Sequence, residues 1–251
     1  MKNHGEVPRV SVTLLRWFQW YCRGYLRKHV NSIRAAGVEN LRGIGDRPVV
    51  VCMNHPSWWD PLIAAFLADC LFKERGHYAP IDGDALEKYR FFRKLGFFGV
   101  EKGTARGART FLEVSRSIVQ EPSSCLWITV QGKFADVRER PVRVAPGIGH
   151  LLRGSDCVVV PLAIEISHWE ERTPEVLVKI GSVIRTGEVM WSAQQGNVAV
   201  EASLANAMEG LAAEAIARNG AAFETLLGGT AGVGGVYDSW RALKSRLPFG
   251  W

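Results

Sequence analysis

The residues best suited to chemistry stand in segment 54–60, where four positions separate a histidine from an aspartate. His55 follows the apolar run 49–53, which predicts a buried strand that delivers the histidine to the edge of a sheet. Asp60 precedes a proline and an apolar segment, so a helix is predicted to begin there. A turn of this length can bring the Asp60 carboxylate onto one ring nitrogen of His55. That contact would fix the tautomer of the imidazole and favour the imidazolium.

The pair has no nucleophile beside it, so the proton taken by His55 would have to come from a substrate. The chain also has no Gly-x-Ser-x-Gly turn, which argues against a serine hydrolase. A purely structural interpretation is also open from these two residues. An aspartate before a proline suits a helix N-cap, and His55 alone could be a hydrogen-bonded loop histidine.

The composition indicates one large domain that works near an anionic surface. The chain has 251 residues, 47% of them hydrophobic, which is enough for a sizeable core. The net charge is +6, and nine Trp and eleven Phe accompany it. Such a mixture suits nucleic acid or an anionic membrane. Zinc-finger spacing and RNA-binding signatures are missing from the sequence, so we expect a membrane surface as partner and no nucleic acid.

The amino-terminal segment, the lengths of the apolar segments and the cysteines favour a peripheral protein on the cytoplasmic side of a membrane. Arg16 interrupts the first apolar segment, so no secretory signal is predicted, and no segment reaches the roughly 18 apolar residues of a membrane span. The cysteines are odd in number, widely spaced and mostly apolar in context, which predicts reduced packing residues rather than disulfides. Cys52 lies near His55, but a second ligand pair is missing, so no metal site is expected.

Hydrophobic periodicity predicts an α/β fold, with a central mixed sheet layered by helices and an N-terminal amphipathic helix. The predicted strands are 49–53, 78–81, 97–100, 125–130, 157–165 and 175–180. The predicted helices are 11–35, 61–73, 85–95, 105–120, 148–153, about 198–227, and a final basic helix at 237–246. The predicted organisation is a membrane-interface helix in 1–36, a main domain in 37–227, and a glycine-rich connector with a short helix in 228–251.

Two segments combine aromatic and basic residues in a way that is typical of membrane-facing surfaces. Helix 11–35 is predicted to separate an apolar face from a basic one, and stretch 88–109 interleaves cations with aromatic residues. The apolar face of the helix comprises Leu15, Phe18, Cys22, Tyr25 and Leu26, and the other face carries Arg16, Trp20, Arg23, Arg27 and Arg34. The alternative is that both segments pack their apolar faces on the domain and leave their charges in solvent.

Four blocks along the chain resemble those of one enzyme family. They are the His-x4-Asp segment, Gly96–Lys102, Val130–Lys133 and Val159–Leu162. In this order they are similar to the glycerolipid acyltransferases, the lysophosphatidate-acyltransferase-like enzymes, over roughly residues 45 to 185. The resemblance implies that His55, oriented by Asp60, acts as general base on an acceptor hydroxyl. That hydroxyl would attack the thioester of acyl-CoA or acyl-carrier protein directly, as co-substrate, with no metal or redox cofactor.

The same resemblance implies which residues meet the substrate, and it leaves the acceptor open. Asn54 and Ser57 are expected to shape the loop and contact substrate, and Lys102, Gln131, Gly132 and Lys133 to line the acceptor side. Lys102 stands where the family usually has an arginine, Gln131 where it has a glutamate, and Phe134 where it has another arginine. Arg138, Arg140 and Arg143 are candidate replacements.

The predicted function is therefore acyl transfer to a lipid hydroxyl, on a lysophospholipid or glycerolipid-like acceptor. Because of the three replaced positions, a glycolipid or a hydroxylated isoprenoid suits the sequence equally well. A non-catalytic lipid-binding protein on the same fold, and a thioesterase that uses the same base on water, remain as alternatives.

Overall fold

The computed structural model of the chain describes residues 5–188 and 191–229, which form a mixed α/β structure. Its strands are β1 (Ser32–Ala36), β2 (Val49–Met53), β3 (Gly76–Asp82), β4 (Phe97–Val100), β5 (Ser124–Thr129), β6 (Val158–Ser167), β7 (Glu175–Ile180), β8 (Ile184–Arg185) and β9 (Glu224–Gly228). Its α-helices are α1 (Val12–His29), α2 (Asp60–Leu71), α3 (Gly83–Lys88), α4 (Ala105–Ile118), α5 (Gly147–Leu152) and α6 (Ala193–Ile216). The predicted helix 237–246 and connector residues 230–235 lie outside the described residues.

The described strands form a single mixed sheet, as the sequence predicted, but it has nine strands where the sequence predicted six. Its order is β4-β3-β5-β2-β6-β7-β1-β9, with β8 beside β6. The first five strands of this order are parallel, whereas β7 runs antiparallel to β6. Parallel strands end at the same edge of a sheet, so the segments after β2, β3, β4 and β5 share one border. We call this border the carboxyl edge.

Helices cover both faces of the sheet, and this explains why its central strands are apolar without alternation. Along β2, Val49 and Val51 pack in a core with α1 and α2, while Val50 and Cys52 pack in a second core with α4, α5 and α6. All four side chains are 0% exposed. Strands buried on both faces read as continuous hydrophobic runs, which is the pattern that predicted β2.

Three predicted helix boundaries are wrong, and backbone geometry or long-range strand pairing explains each. Helix α1 ends at His29, and the following residues form β1, which pairs with β7 and β9. Arg34 therefore lies on a strand, where its Nε is 3.3 Å from Glu175 Oε2. The predicted helix 198–227 runs from Ala193 to Ile216, because its last residues form β9 against β1. The predicted helix 85–95 breaks at Tyr89, whose backbone is not helical, and continues as a 3₁₀ turn.

Helix α1 packs one face on the domain and leaves an aromatic face exposed. Cys22 and Leu26 are buried, but Trp17 is 56% and Trp20 is 70% exposed. The predicted apolar face is therefore the packed one, and the opposite face carries aromatic residues beside its cations. Across the described ranges, no helix has both the length and the apolarity needed to span a membrane.

The cysteines are free thiols that fill the core, as the sequence predicted. Four of the five are buried, and Cys70 is partly exposed. Burial raises the pKa of the thiols of Cys22, Cys52, Cys125 and Cys157. Such thiols behave as small apolar groups, because the reactive thiolate is disfavoured away from water.

Candidate active site

Asn54 holds the end of β2 against β6 and thereby fixes where the following loop begins. Its Nδ2 donates to the carbonyl of Ile164 at 2.9 Å, and the Ile164 amide donates to Asn54 Oδ1 at 2.7 Å. The side chain is 1% exposed, and both of its polar atoms are engaged with backbone. Of its two predicted roles, the geometry favours shaping the loop over contacting substrate.

His55 and Asp60 meet as the sequence predicted. His55 Nδ1 lies 2.7 Å from Asp60 Oδ2, and the same oxygen accepts the Ser57 amide at 3.1 Å. The Ser57 hydroxyl accepts the amide of Trp59 at 3.1 Å, which tightens the turn between the two residues. The Asp60 side chain is 1% exposed, whereas the His55 side chain is 18% exposed. One residue of the pair is therefore sealed in the protein while the other reaches the surface.

The alternative interpretation of Asp60 as a helix N-cap is wrong. The cap of α2 is Trp59, and Asp60 is already the first helical residue. Its carboxylate hydrogen bonds run back to Ser57 and His55 rather than forward to the free amides of the helix. The carboxylate therefore serves the turn at Ser57 and the ring of His55 rather than the capping of α2.

The environment of Asp60 determines which nitrogen of His55 is free. Burial raises the pKa of Asp60, and the hydrogen bonds from His55 and Ser57 lower it in part. An ionised carboxylate can only accept hydrogen bonds, so it holds the proton of the imidazole on Nδ1. Nε2 then carries the lone pair and is free to take a proton.

In the described part of the chain, no cluster of three or more His, Cys, Asp or Glu could hold a metal ion.

The segment after β5 supports the backbone of His55 from the other side. Gln131 Oε1 accepts the His55 amide at 2.9 Å, and the Ala135 amide donates to the His55 carbonyl at 3.0 Å. Gly132 makes the turn between them at φ +69°, a conformation that favours glycine. The structure thus brings Gln131 to the site as predicted, in contact with the backbone of the histidine.

Phe134 is a site residue whose contact the sequence did not predict. Its ring stacks on the imidazole of His55, with ring centroids 4.1 Å apart and an interplanar angle of 27°. The side chain is 60% exposed, so it covers one face of the histidine and turns its other side to solvent. The sequence marked this position as a departure from the family pattern, but the contact depends on the path of the whole loop.

The two predicted lysines are not brought to His55 by any described contact. Lys102 follows β4, three strands from β2 in the sheet, which corresponds to about 14 Å at the usual strand spacing. Its Nζ lies 3.9 Å from Asp82 Oδ2. Lys133 Nζ lies 3.7 Å from Glu139 Oε1, with 70% of its side chain exposed. The candidate replacement arginines each pair with a carboxylate: Arg138 with Asp136, Arg140 with Glu209 and Arg143 with Glu201.

Comparison with known protein families shows which family the chain belongs to. The model of the Acyltransferase family matches residues 32–165, more than half of the chain, and the match includes the whole segment 54–60 and Gln131. The chain belongs to the Acyltransferase family. The predicted membership in the family of the glycerolipid acyltransferases is thereby confirmed.

A solved structure shows that the fold of this acyltransferase is also shared. The 1-acyl-sn-glycerophosphate (LPA) acyltransferase PlsC from Thermotoga maritima superposes with a TM-score of 0.53. The two chains are 15% identical, and the match covers 80% of each. No curated protein matches the acyltransferase in sequence.

Proposed function

We propose that this acyltransferase moves a fatty acyl group from a thioester, acyl-CoA or acyl-carrier protein, to the hydroxyl of a lipid, with His55 as general base. The observation that supports this most strongly is the 2.7 Å contact between Nδ1 of His55 and the buried Asp60. It leaves Nε2 as the one ring nitrogen that can receive the hydroxyl proton. The protein needs no nucleophile of its own, because the acceptor oxygen itself attacks the thioester.

In the proposed reaction, His55 takes one proton from the acceptor and gives it to the leaving thiolate, so the histidine ends each turnover in its starting state. As the acceptor oxygen attacks the thioester carbonyl, its proton passes to Nε2, and Asp60 stabilises the imidazolium that forms. The tetrahedral intermediate then expels the thiolate, which takes the proton from Nε2 and leaves as thiol. Proton abstraction by a positioned base supplies about 10²–10⁴ in rate, and alignment of the two substrates supplies most of the rest.

Membrane association is the second part of the proposal, and a chain of aromatic contacts supports it. Trp17 stacks on Tyr21 with centroids 6.0 Å apart, Tyr21 on Tyr25 at 6.2 Å, and Tyr25 meets Trp59 edge-on at 6.2 Å. This row runs from the exposed face of α1 to the loop that carries His55. Neighbouring Trp58 is 69% exposed. Aromatic and basic side chains together suit a headgroup layer, so we place the protein peripherally on the cytoplasmic side of a membrane.

The acceptor class is proposed as a lysophospholipid or another glycerolipid-like alcohol. The Thermotoga maritima protein is described as an enzyme of 1-acyl-sn-glycerophosphate, and its shared fold supports a lipid alcohol here. A glycolipid or an isoprenoid alcohol would use the same histidine in the same way. We include 1-acylglycerol 3-phosphate among the acceptors to be tested.

The experiment is an acyl-transfer assay with isotopically labelled donors. The purified protein is mixed with labelled acyl-CoA or acyl-carrier protein and vesicles that contain the candidate acceptors, and the products are separated by mass spectrometry. We expect the label in an O-acylated lipid, lost in His55→Gln and kept in His150→Gln, an exposed histidine on α5. Label in free fatty acid alone would indicate a thioesterase. Unchanged donor with lipid still bound would indicate a non-catalytic lipid-binding protein.

A further inference from the structure

We infer that, of the acceptors proposed above, the neutral glycerolipid-like alcohols rather than the lysophospholipids are used, and that Phe134 selects against a phosphate beside the hydroxyl that is acylated. The inference rests on the proposed function, since it names the kind of alcohol that reaches His55. Two independent observations support it: the apolar ring that lies on the histidine, and the balance of charges in the loop that presents this ring.

The first observation concerns the immediate surroundings of the reacting nitrogen. Phe134 covers one face of the imidazole at a centroid distance of 4.1 Å, and Asp60 occupies Nδ1. An alcohol that approaches Nε2 from the covered face therefore places the atoms next to its hydroxyl against the phenyl ring. A phosphate in that position would lose water without gaining a hydrogen-bond donor, which is costly for a charged group. An uncharged carbon skeleton would gain apolar contact there.

The second observation is a one-to-one balance of charge in loop 131–146. Each of its cations lies within 4.0 Å of a different carboxylate, two from the loop itself and two from α6. The pairs are Lys133–Glu139, Arg138–Asp136, Arg140–Glu209 and Arg143–Glu201. Exposed pairs of this kind are individually weak and open readily. Together they nonetheless present no net positive charge that would draw a phosphate towards His55.

The segment after β4 shows the same pattern of paired cations. Lys102 lies 3.9 Å from Asp82, and Arg106 lies 3.7 Å from Glu101. The strand order also separates β4 from β2 by β3 and β5. A phosphate that approached Lys102 would compete with the Asp82 carboxylate for that cation, and Lys102 itself follows a strand three positions away from β2. The geometry points to a neutral alcohol, flanked by carbon, as the acceptor.

The test compares two acceptors that differ only in the phosphate, 1-oleoylglycerol and 1-oleoylglycerol 3-phosphate, in the same mixed micelles with the same labelled donor. The measured quantity is the ratio of kcat/KM for the neutral acceptor to kcat/KM for the phosphorylated one. We expect this ratio to exceed about ten, because desolvating one unpaired charged group costs at least the ~1.4 kcal/mol that a tenfold ratio represents. A ratio below about ten overturns the inference.

Two variants of the exposed Phe134 establish whether this residue makes the selection. Phe134→Arg supplies a guanidinium beside His55 and should lower the ratio at least about tenfold. Phe134→Leu keeps an apolar side chain and should keep the ratio within about threefold of the wild-type value. An unchanged ratio in Phe134→Arg overturns the role of Phe134.

The outcomes separate this inference from the proposed function. If label enters only lipids with a phosphate beside the acylated hydroxyl, the inference is wrong and the proposed function stands. If label enters no lipid in a wider acceptor set, the proposed function itself fails, and the selectivity assigned to Phe134 fails with it.

Discussion

Two loops meet at His55, and they are built on different principles. Loop 54–60 is anchored at both ends by side chains tied to backbone or to each other, and these end residues, Asn54 and Asp60, are 1% exposed. Loop 131–146 is exposed along much of its length, and its cations pair with carboxylates of the loop itself and of α6. We infer that loop 54–60 fixes the position of the base, while loop 131–146 determines what reaches it. Asn54 is buried with both polar atoms hydrogen-bonded and is therefore held rigidly, whereas exposed ion pairs can rearrange.

The largest expected effect on stability comes from Asn54, the residue that anchors loop 54–60. Asn54→Ala leaves the amide and the carbonyl of Ile164 without partners, so it should lower the free energy of unfolding by about 3 kcal/mol. Urea denaturation measures this change. Asn219→Ala is the matched control, because the side chain of Asn219 is exposed, and it should change stability by less than about 0.5 kcal/mol. Equal effects of the two changes would show that the Asn54 side chain does not anchor loop 54–60.

The second prediction concerns Asp60, whose effect should be on rate and not on stability. Asp60→Asn should slow acyl transfer about a hundredfold, because a neutral amide stabilises the imidazolium of His55 poorly. Burial raises the pKa of Asp60, so its ionised form costs stability as the pH rises through that pKa. The amide should therefore not lower the free energy of unfolding at neutral pH. Asp69→Asn on the same helix is the control and should keep the rate.

A smaller effect is expected where the exposed loop touches the histidine. Gln131→Ala removes the acceptor of the His55 amide and should lower kcat about tenfold through loss of positioning. Gln131→Glu keeps an oxygen in place for that amide and should recover most of the rate. If Gln131→Ala raised KM for the acceptor at unchanged kcat, Gln131 would be a substrate contact rather than a support for His55.

The smallest expected effect is a pH dependence of stability that comes from His77 and not from the reacting pair. Burial lowers the pKa of His77 from 6.5 to about 4, so between these values the unfolded chain binds a proton that the folded protein excludes. Stability should therefore fall as the pH drops, by about 1 kcal/mol between pH 7 and 5.5. His77→Gln should lack this component in urea titrations at the two pH values. A loss of stability as steep in the variant as in the wild type would contradict the buried neutral histidine.

The same contrast explains which features the sequence could predict. The apolar run of β2 and the His-x4-Asp spacing are local signals, and they placed His55 at the sheet edge with Asp60 against it. Strands β1 and β9 were missed because each depends on partners far away in the chain. The stacking of Phe134 on His55 and the pairing of Arg140 with Glu209 likewise require the path of the whole loop. Local patterns therefore located the base, and tertiary packing supplied its surroundings.

The most direct test of the central claim is whether Asp60 acts through His55. Asp60→Asn is introduced into the wild type and into His55→Ala, and the rates of acyl transfer are compared at saturating donor. If the carboxylate serves the imidazole, the change should cost about a hundredfold in the wild type and less than about threefold where the imidazole is gone. The same hundredfold loss in both backgrounds, or a His55→Ala rate within tenfold of the wild type, would contradict this mechanism.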